Sequence, residues 1–262
     1  MSTKEQSVTL LRKNKLAQVE AFQAVGMSDV NENTRASEFA DRIKWAAGLL
    51  DITLACKRFS DGTDWYFTKE EWSSLTNSNR ALFAMRGLRV RAFGHSFVLA
   101  AQDCFSQDGN VTIPWSNRVR VTELVNRVRA AAYNDFNGLE NTELIISQLA
   151  GNGGAQNIIG APSAEAARAY KAFTKKNDGI DDTSDWHLPS LGVGIIIYRL
   201  KPQLQEALSF FWNEDCKLAA DSYWTSTQAD NENSWYINLS SGVMSVVTKD
   251  NAYRVRSVCD VV

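Results

Sequence analysis

Four cysteines in 262 residues, Cys56, Cys104, Cys216 and Cys259, stand singly and far apart. With no Cys-x-x-Cys pair, the chain carries neither a zinc ribbon nor a thioredoxin-type motif. Histidine is scarcer still. His95 and His187 are the two present, and neither sits in a His-x-x-x-His or His-x-Glu frame, which argues against a zinc hydrolase. No Gly-x-Ser-x-Gly elbow occurs, so a serine hydrolase of that kind is not indicated. No apolar run approaches the ~20 residues that cross a bilayer. A net charge of −2 without a basic stripe leaves no footprint for phosphate contacts, and nucleic acid is not an expected partner. The first residues, Met1-Ser2-Thr3-Lys4-Glu5-Gln6, lack the apolar core of a secretion signal. The expectation is a protein made in a cytoplasm, which stays there or leaves by lysis or assembly. In that setting the cysteines are expected as reduced, mostly buried thiols.

What is present is an ordinary mixture of apolar and charged residues, long enough for one large or two ordinary domains. Residues 4–25 have Val8, Leu11, Val19 and Phe22 on one helical face, stopped by Gly26. Such a stripe either packs on its own domain or docks on a partner or on further copies of the chain. A second helix is predicted through Phe39, Ile43, Trp45 and Leu49, with Ser37 as its cap. From 52 to 113 the pattern turns to strands and tight turns. Asp61-Gly62 and Asp108-Gly109 are turn signals, Thr68 with Glu71 forms a capping box, and 88–93 alternates apolar with charged residues. Pro114 disfavours a central strand, so 113–122 reads as a connection.

Further along, 143–150 is predicted as a short helix ended by a glycine cluster, and Ser163 is a candidate cap for the next. The glycine cluster follows no strand and has no Gly-Lys-[ST], so it reads as a helix stop. The polar run 175–182 lacks the ligand spacing of a calcium loop and reads as a turn. Pro189 and Ser190 introduce an apolar helix, which Pro202 interrupts before Leu204, Leu208 and Phe211 continue a second. In 234–239, Trp235, Ile237 and Leu239 fall on a core side, and Ser234, Tyr236 and Asn238 on a side facing solvent or ligand. Ser241-Gly242 turns into a return strand over 243–248, and 253–258 is a final strand whose Arg254 and Arg256 read as partners of carboxylates.

Four of these pieces, Trp186-His187-Leu188-Pro189-Ser190, Tyr223-Trp224-Thr225-Ser226-Thr227, Trp235-Tyr236-Ile237-Asn238-Leu239 and Tyr253-Arg254-Val255-Arg256-Ser257-Val258, occur in the order of a known family. They resemble the bacterial and phage C-type-lectin-like domain typified by the C-terminal part of a Legionella collagen-like adhesin, over about residues 140–258. In addition, Trp65-Tyr66-Phe67-Thr68-Lys69-Glu70-Glu71-Trp72 with Val90-Arg91-Ala92-Phe93-Gly94 resembles segments that precede such a unit in virion proteins of Bacteroidales (crAss-like) phages.

The resemblance implies an α+β chain in three parts. Residues 1–35 are a helix for attachment or oligomerisation, 36–115 a small α+β domain, and 116–262 a C-type-lectin-like domain. The calcium-binding strings Glu-Pro-Asn, Gln-Pro-Asp and Trp-Asn-Asp of animal lectins are missing, so no metal and no cofactor are expected. Animal lectins also carry disulfides, and Cys216 with Cys259 is the pair this likeness would suggest, against the reduced state favoured above.

Amides beside aromatics suit sugar hydroxyls and ring faces, and equally a protein epitope. Gln228, Asn231, Asn233, Tyr236, Asn238 and Asn251 are therefore the expected ligand-binding residues, with plain solvated turns as the alternative. The expected function is a non-enzymatic phage virion protein, in a head or tail fibre or decoration. It would bind other virion proteins through its N-terminal region and a bacterial-surface glycan or protein through its C-terminal part. A homo-oligomer, by analogy a trimer, is expected. The alternatives are a purely architectural decoration protein, a bacterial adhesin, or an enzyme of the formylglycine-generating type, for which scattered cysteines offer no active pair.

Overall fold

Residues 50–125, 127–151, 158–173 and 181–261 are described in the computed structural model, and helices and strands are numbered among them in chain order. The first helices expected, over 4–25 and 37–49, lie outside these residues, as do the glycine cluster beyond Gly151 and most of the polar run 175–182. Residues 52–90 and 96–262 belong to one compact unit, which the account below concerns. The chain is α+β.

Local signals set the first elements. β1 (Asp51–Arg58) and β2 (Asp64–Phe67) pair antiparallel. In the turn joining them Gly62 has φ 68°, a conformation glycine adopts without strain. Asp61 fixes this turn by accepting from the Thr63 backbone N–H at 3.0 Å and hydroxyl at 2.7 Å. Helix α1 (Lys69–Ser74) starts on the full capping box, the Thr68 hydroxyl accepting from the Glu71 N–H and the Glu71 carboxylate from the Thr68 N–H. A one-turn helix, α2 (Asn77–Arg80), precedes β3 (Phe83–Ala92) and β4 (His95–Ala100). β3 follows the alternation read from sequence, with Leu88 and Val90 buried and Arg89 half-buried.

The second half begins with a two-residue strand, β5 (Ile113–Pro114), in keeping with the proline. Helices α3 (Arg129–Ala132), α4 (Gly138–Leu149) and α5 (Pro162–Ala169) follow. α4 starts five residues before the expected 143. Ser163 is not a cap. It lies inside α5, where Pro162 takes the first position, and its hydroxyl donates to the carbonyls of Ile113 and Pro114 at 3.2 and 2.8 Å. Helices α6 (Leu191–Arg199) and α7 (Lys201–Phe211) are divided at Leu200, next to Pro202 as the sequence indicates. Ser190 is the N-cap residue of α6, though its hydroxyl makes no capping bond.

A 3-10 turn (Glu214–Cys216) leads into β6 (Ser222–Gln228), β7 (Asn233–Asn238) and β8 (Met244–Thr248), which form an antiparallel sheet in that order. The expected final strand is split into β9 (Ala252–Tyr253) and β10 (Val258–Asp260). β9 pairs with β5, while β10 crosses to β4 and becomes an edge of a five-stranded sheet ordered β10-β4-β3-β1-β2.

That pairing joins residues of the expected 36–115 part to residues of the expected 116–262 part. Val258 and Cys259 stand opposite Leu99 and Val98, and one buried cluster joins Ala55, Val98 and Cys104 to Trp115, Trp186, Trp224 and Val255. Pro114 lies in a short strand inside this unit. The four cysteines are free, as the residues alone suggested. Burial pushes the thiols of Cys56 and Cys259 up to about 12 and that of Cys104 to about 11, so all three stay protonated and unreactive at neutral pH.

Helix α6 lies against β6 and β7 through glycine. A Cβ on Gly194 would meet the Ile237 Cγ2 at 3.3 Å and the Thr225 Cγ2 at 3.8 Å, whereas one on Gly192 would come within 2.5 Å of the Asp135 carbonyl and 2.7 Å of the Phe136 ring. Gly194→Ala is therefore expected to be the milder change, a gain of up to ~1 kcal/mol in helix propensity offsetting the tight contact with the buried Ile237. Gly192→Ala should lower stability by about 1–3 kcal/mol through overpacking. Urea unfolding of the two variants checks the ordering, which the reverse result would refute.

Candidate functional site

Parity along the strands collects one set of aromatic rings. Tyr236 stands opposite Trp224 on β6 and opposite Ser245 on β8, and Asn238 stands opposite Ser222, so these five side chains share a face. The 253–255 segment joins the far side of β6 in parallel, through Tyr223 beside Arg254, and adds Tyr253 to the same face. The Trp224 N–H donates to the Arg254 carbonyl at 2.9 Å, and the Arg254 N–H to the Ser222 carbonyl at 3.0 Å.

Trp224 is fully buried, its indole N–H donating to the Ile113 carbonyl at 2.8 Å. On it rests Tyr253, with ring centres 4.8 Å apart, and Tyr236 lies 4.9 Å from Tyr253. Both tyrosines are half-buried. Burial, with the neighbouring Tyr236 and Asp221 adding to it, holds the Tyr253 phenol above its usual range and so neutral. The result is a two-ring platform on a tryptophan floor, rimmed by Ser222, Asn238 and Ser245.

The opposite face of β6 carries charge. Arg256 is 2% exposed, and its Nε donates to Asp103 Oδ1 at 2.7 Å. Its other nitrogens donate to the carbonyls of Ala100, Cys216 and Lys217 at 3.2–3.3 Å. Arg254 donates to Asp103 Oδ2 and to Asp221 Oδ2, each at 3.0 Å. The Tyr223 hydroxyl also donates to Asp103 Oδ2, at 3.1 Å, and burial followed by that carboxylate pushes its phenol well above the ordinary range. Both arginines thus pair with carboxylates.

A third arrangement lies under the polar loop 229–232. Gln228 is completely buried, its amide donating to the carbonyls of Val121 and Leu124, both at 3.1 Å, and accepting from the Val121 N–H at 3.2 Å. Lys249 is buried as deeply and donates to the Gln228 amide oxygen at 2.7 Å. Both lie where an exposed polar turn is expected, and both are drawn inward because the 115–125 stretch folds over them with carbonyls that need donors.

Of the six expected ligand residues, then, Gln228 is the one that reaches no solvent. Asn233 gives its amide to both oxygens of Asp230, at 2.9 Å each. Asn251 gives its amide to the carbonyl and hydroxyl of Thr248 at 3.0 and 2.7 Å. Asn238 accepts from the N–H groups of Ser240 and Ser241 at 2.9 Å and donates to Ser222 at 3.2 Å. These amides build turns first. Asn231 is exposed on its loop, and its carbonyl accepts from Lys249 at 2.9 Å.

Tyr236 and Asn238 are brought together, while the others sit around the loops. Ser234, assigned to the open side, is buried and donates to the Thr227 carbonyl at 2.9 Å. Sequence reasoning missed Tyr253 as a site residue. Its parity was visible, but the parallel bridge that aligns it with Tyr236 was not.

Among the described residues no three His, Cys, Asp or Glu side chains gather as a metal-binding group, and no helix is long and apolar enough to cross a membrane. His187 is 3% exposed and is held by an Nδ1 contact of 2.8 Å to the Asp185 carbonyl, and its burial lowers its pKa.

No family model matches the chain, and no curated protein matches it. Among solved structures it is similar to a fimbrial protein from Bacteroides ovatus, at 14% identity and a TM-score of 0.47. The match covers 79% of this chain and 48% of the fimbrial one, so the chain spans about half the length of that protein.

Asp103→Asn is expected to lower unfolding free energy by roughly 3–5 kcal/mol, because it leaves the Arg256 guanidinium buried without its carboxylate. The double variant Asp103→Leu with Arg256→Met should recover most of that loss. Denaturant titration at pH 7 measures both, and a loss below about 1 kcal/mol for Asp103→Asn would show the pair to be incidental.

Proposed function

We propose that this chain is a non-enzymatic protein of a phage virion whose C-terminal part binds a glycan or protein on the host bacterial surface. The observation that carries the binding half is the half-buried Tyr236–Tyr253 pair seated on Trp224. Rings fixed on a sheet offer an apolar surface at low cost in side-chain freedom, which suits the apolar face of a sugar ring or the side chains of an epitope. Around them Asn238, Ser222 and Ser245 offer hydrogen bonds, and Asn231 stands on the nearby 229–232 loop. The lectin-like character of residues 140–258 and the virion setting rest on the sequence resemblance. Attachment through residues 1–35 and a trimeric assembly belong to the same proposal.

A second reading is a purely architectural part of a head or tail. It is favoured by the burial of Gln228 and by the turn bonds that occupy the Asn233 and Asn251 amides, which leave fewer polar groups for a ligand than the sequence suggests.

The test is a binding screen of the full chain against host cells, surface glycans and surface proteins, with and without chelator. Binding that survives chelator and weakens roughly tenfold or more in Tyr236→Ala and in Tyr253→Ala supports the receptor-binding reading. Absence of binding, with the chain still built into particles, would replace it by the architectural one. Binding unchanged in both variants would move the contact surface elsewhere.

A further inference from the structure

The sheet β6-β7-β8 ends in β8, whose strand neighbour is β7. In an antiparallel pair, opposite residues alternate between exchanging backbone hydrogen bonds and facing one another without them. The Asn238 N–H donates to the Val243 carbonyl at 2.8 Å, and the Lys249 N–H to the Glu232 carbonyl at 2.9 Å. In this register Val243, Ser245, Val247 and Lys249 therefore bond inward to β7. The backbone N–H and C=O groups of Met244 and Val246 point away from the sheet, and among the described residues no strand pairs with them.

Other edges of the two larger sheets are guarded. β6 is flanked by the 253–255 segment through Tyr223 beside Arg254, and β10 by His187 through an antiparallel bridge to Val258. β2 is four residues long and opens on Asp64, which pairs with Lys57 and Arg86. Short length, charge and cover are the usual protections of an edge against foreign strands. β8 lacks the last two. From Val243 to Thr248 there is no charged residue, glycine or proline. Val243 is 49% and Val246 42% exposed, on opposite faces of the strand, while helix α6 packs over β6 and β7.

The strand is also complementary to itself. Laid antiparallel on a copy of itself with Ser245 on the two-fold axis, it sets Met244 opposite Val246 and Val243 opposite Val247. Each apolar side chain then meets an apolar one, serine meets serine, and the outward groups of Met244 and Val246 bond to each other. Moving the axis to Val246 would set Ser245 against Val247 and Met244 against Thr248, whose carbonyl already accepts from the Asn251 N–H at 3.1 Å and amide at 3.0 Å. With no charge on the strand, like meets like without repulsion. Because β6 is flanked, such pairing closes at two copies and does not run on into a fibre.

We propose that β8 is a self-association edge: it pairs antiparallel with β8 of a second copy of this chain about a two-fold axis at Ser245, joining the two sheets into one. The contact is separate from any assembly through residues 1–35, and it does not depend on the binding reading. It bears on that reading all the same. Tyr236 stands opposite Ser245, so pairing sets both Tyr236–Tyr253 platforms on one side of the joined sheet. They lie about 14 Å apart, at three strand spacings of ~4.8 Å. Two sites so placed suit a repetitive surface ligand.

Strands of five residues bury less than a standard stable interface, so the association depends on concentration. Sedimentation equilibrium of the full chain, over roughly a hundredfold range of concentration, should show a reversible doubling of mass. Val246→Lys brings like charges together beside the axis and should weaken the association by about tenfold or more. An unaltered mass across the range, or association unchanged in Val246→Lys, overturns the proposal. Cross-linking tests the register without that variant, in a Cys216→Ser background where the remaining thiols are buried. Ser245→Cys puts facing Cα atoms about 4.5 Å apart, within disulfide reach, whereas Val247→Cys leaves its copies roughly 14 Å apart. A covalent dimer from Ser245→Cys and not from Val247→Cys supports the pairing. Equal yields, or no dimer from Ser245→Cys, overturn it.

Discussion

Arg256 carries its charge to a place that is 2% exposed, and Asp103 meets it there at 2.7 Å while also holding Arg254 and the Tyr223 hydroxyl. A guanidinium enclosed in this way has to be matched by acceptors in fixed positions. Those acceptors come from the end of β4, from the turn after α7 and from Asp103 itself, so satisfying one side chain brings three distant stretches together. The backbone follows the same path. The Cys104 N–H donates to the Val255 carbonyl at 2.8 Å and the Ala100 N–H to that of Ser257 at 2.9 Å, which delivers β10 to β4. The parity of the 253–255 segment, and with it the placing of Tyr253 beside Tyr236, depends on this anchoring.

The division of labour across β6 is clear from its two faces. Tyr223 points to the charged network and to α6, where Gly194 allows the helix to approach Ile237 closely. Trp224 points the other way and supports the tyrosines. The rings owe their fixed arrangement to a sheet braced from behind, in contrast to the loop amides, which hold the turns that carry them.

Signals that act within a few residues were legible in the sequence. The Thr68–Glu71 capping box, the turn at Gly62, the break at Pro202 and the burial of Trp235, Ile237 and Leu239 all follow from spacing and backbone chemistry over short distances. Arg254 and Arg256 could be read as partners of carboxylates, though not which ones. The pairing of Val258 with Leu99 lies beyond such reading, because nothing local to either strand names its neighbour. Gln228 and Lys249 show the same limit in the site. Glutamine and lysine in a polar turn are ordinarily solvated, and only the fold of 115–125 over them supplies the carbonyls that draw them in.

The seat of β10 in the five-stranded sheet has a bearing on how the protein comes to exist in a cell. Residues 258–260 complete an edge whose other strands were synthesised some 160 or more residues earlier. Until residues 253–260 have been synthesised, β4 lacks its neighbour, Arg256 is not yet in place, and the apolar side chains of β1 and β4 have nothing from that stretch to cover them. Contacts between such distant positions form late and slowly, and the exposed edge is open to wrong pairing in the meantime. Folding of this unit thus waits on the arrival of β10.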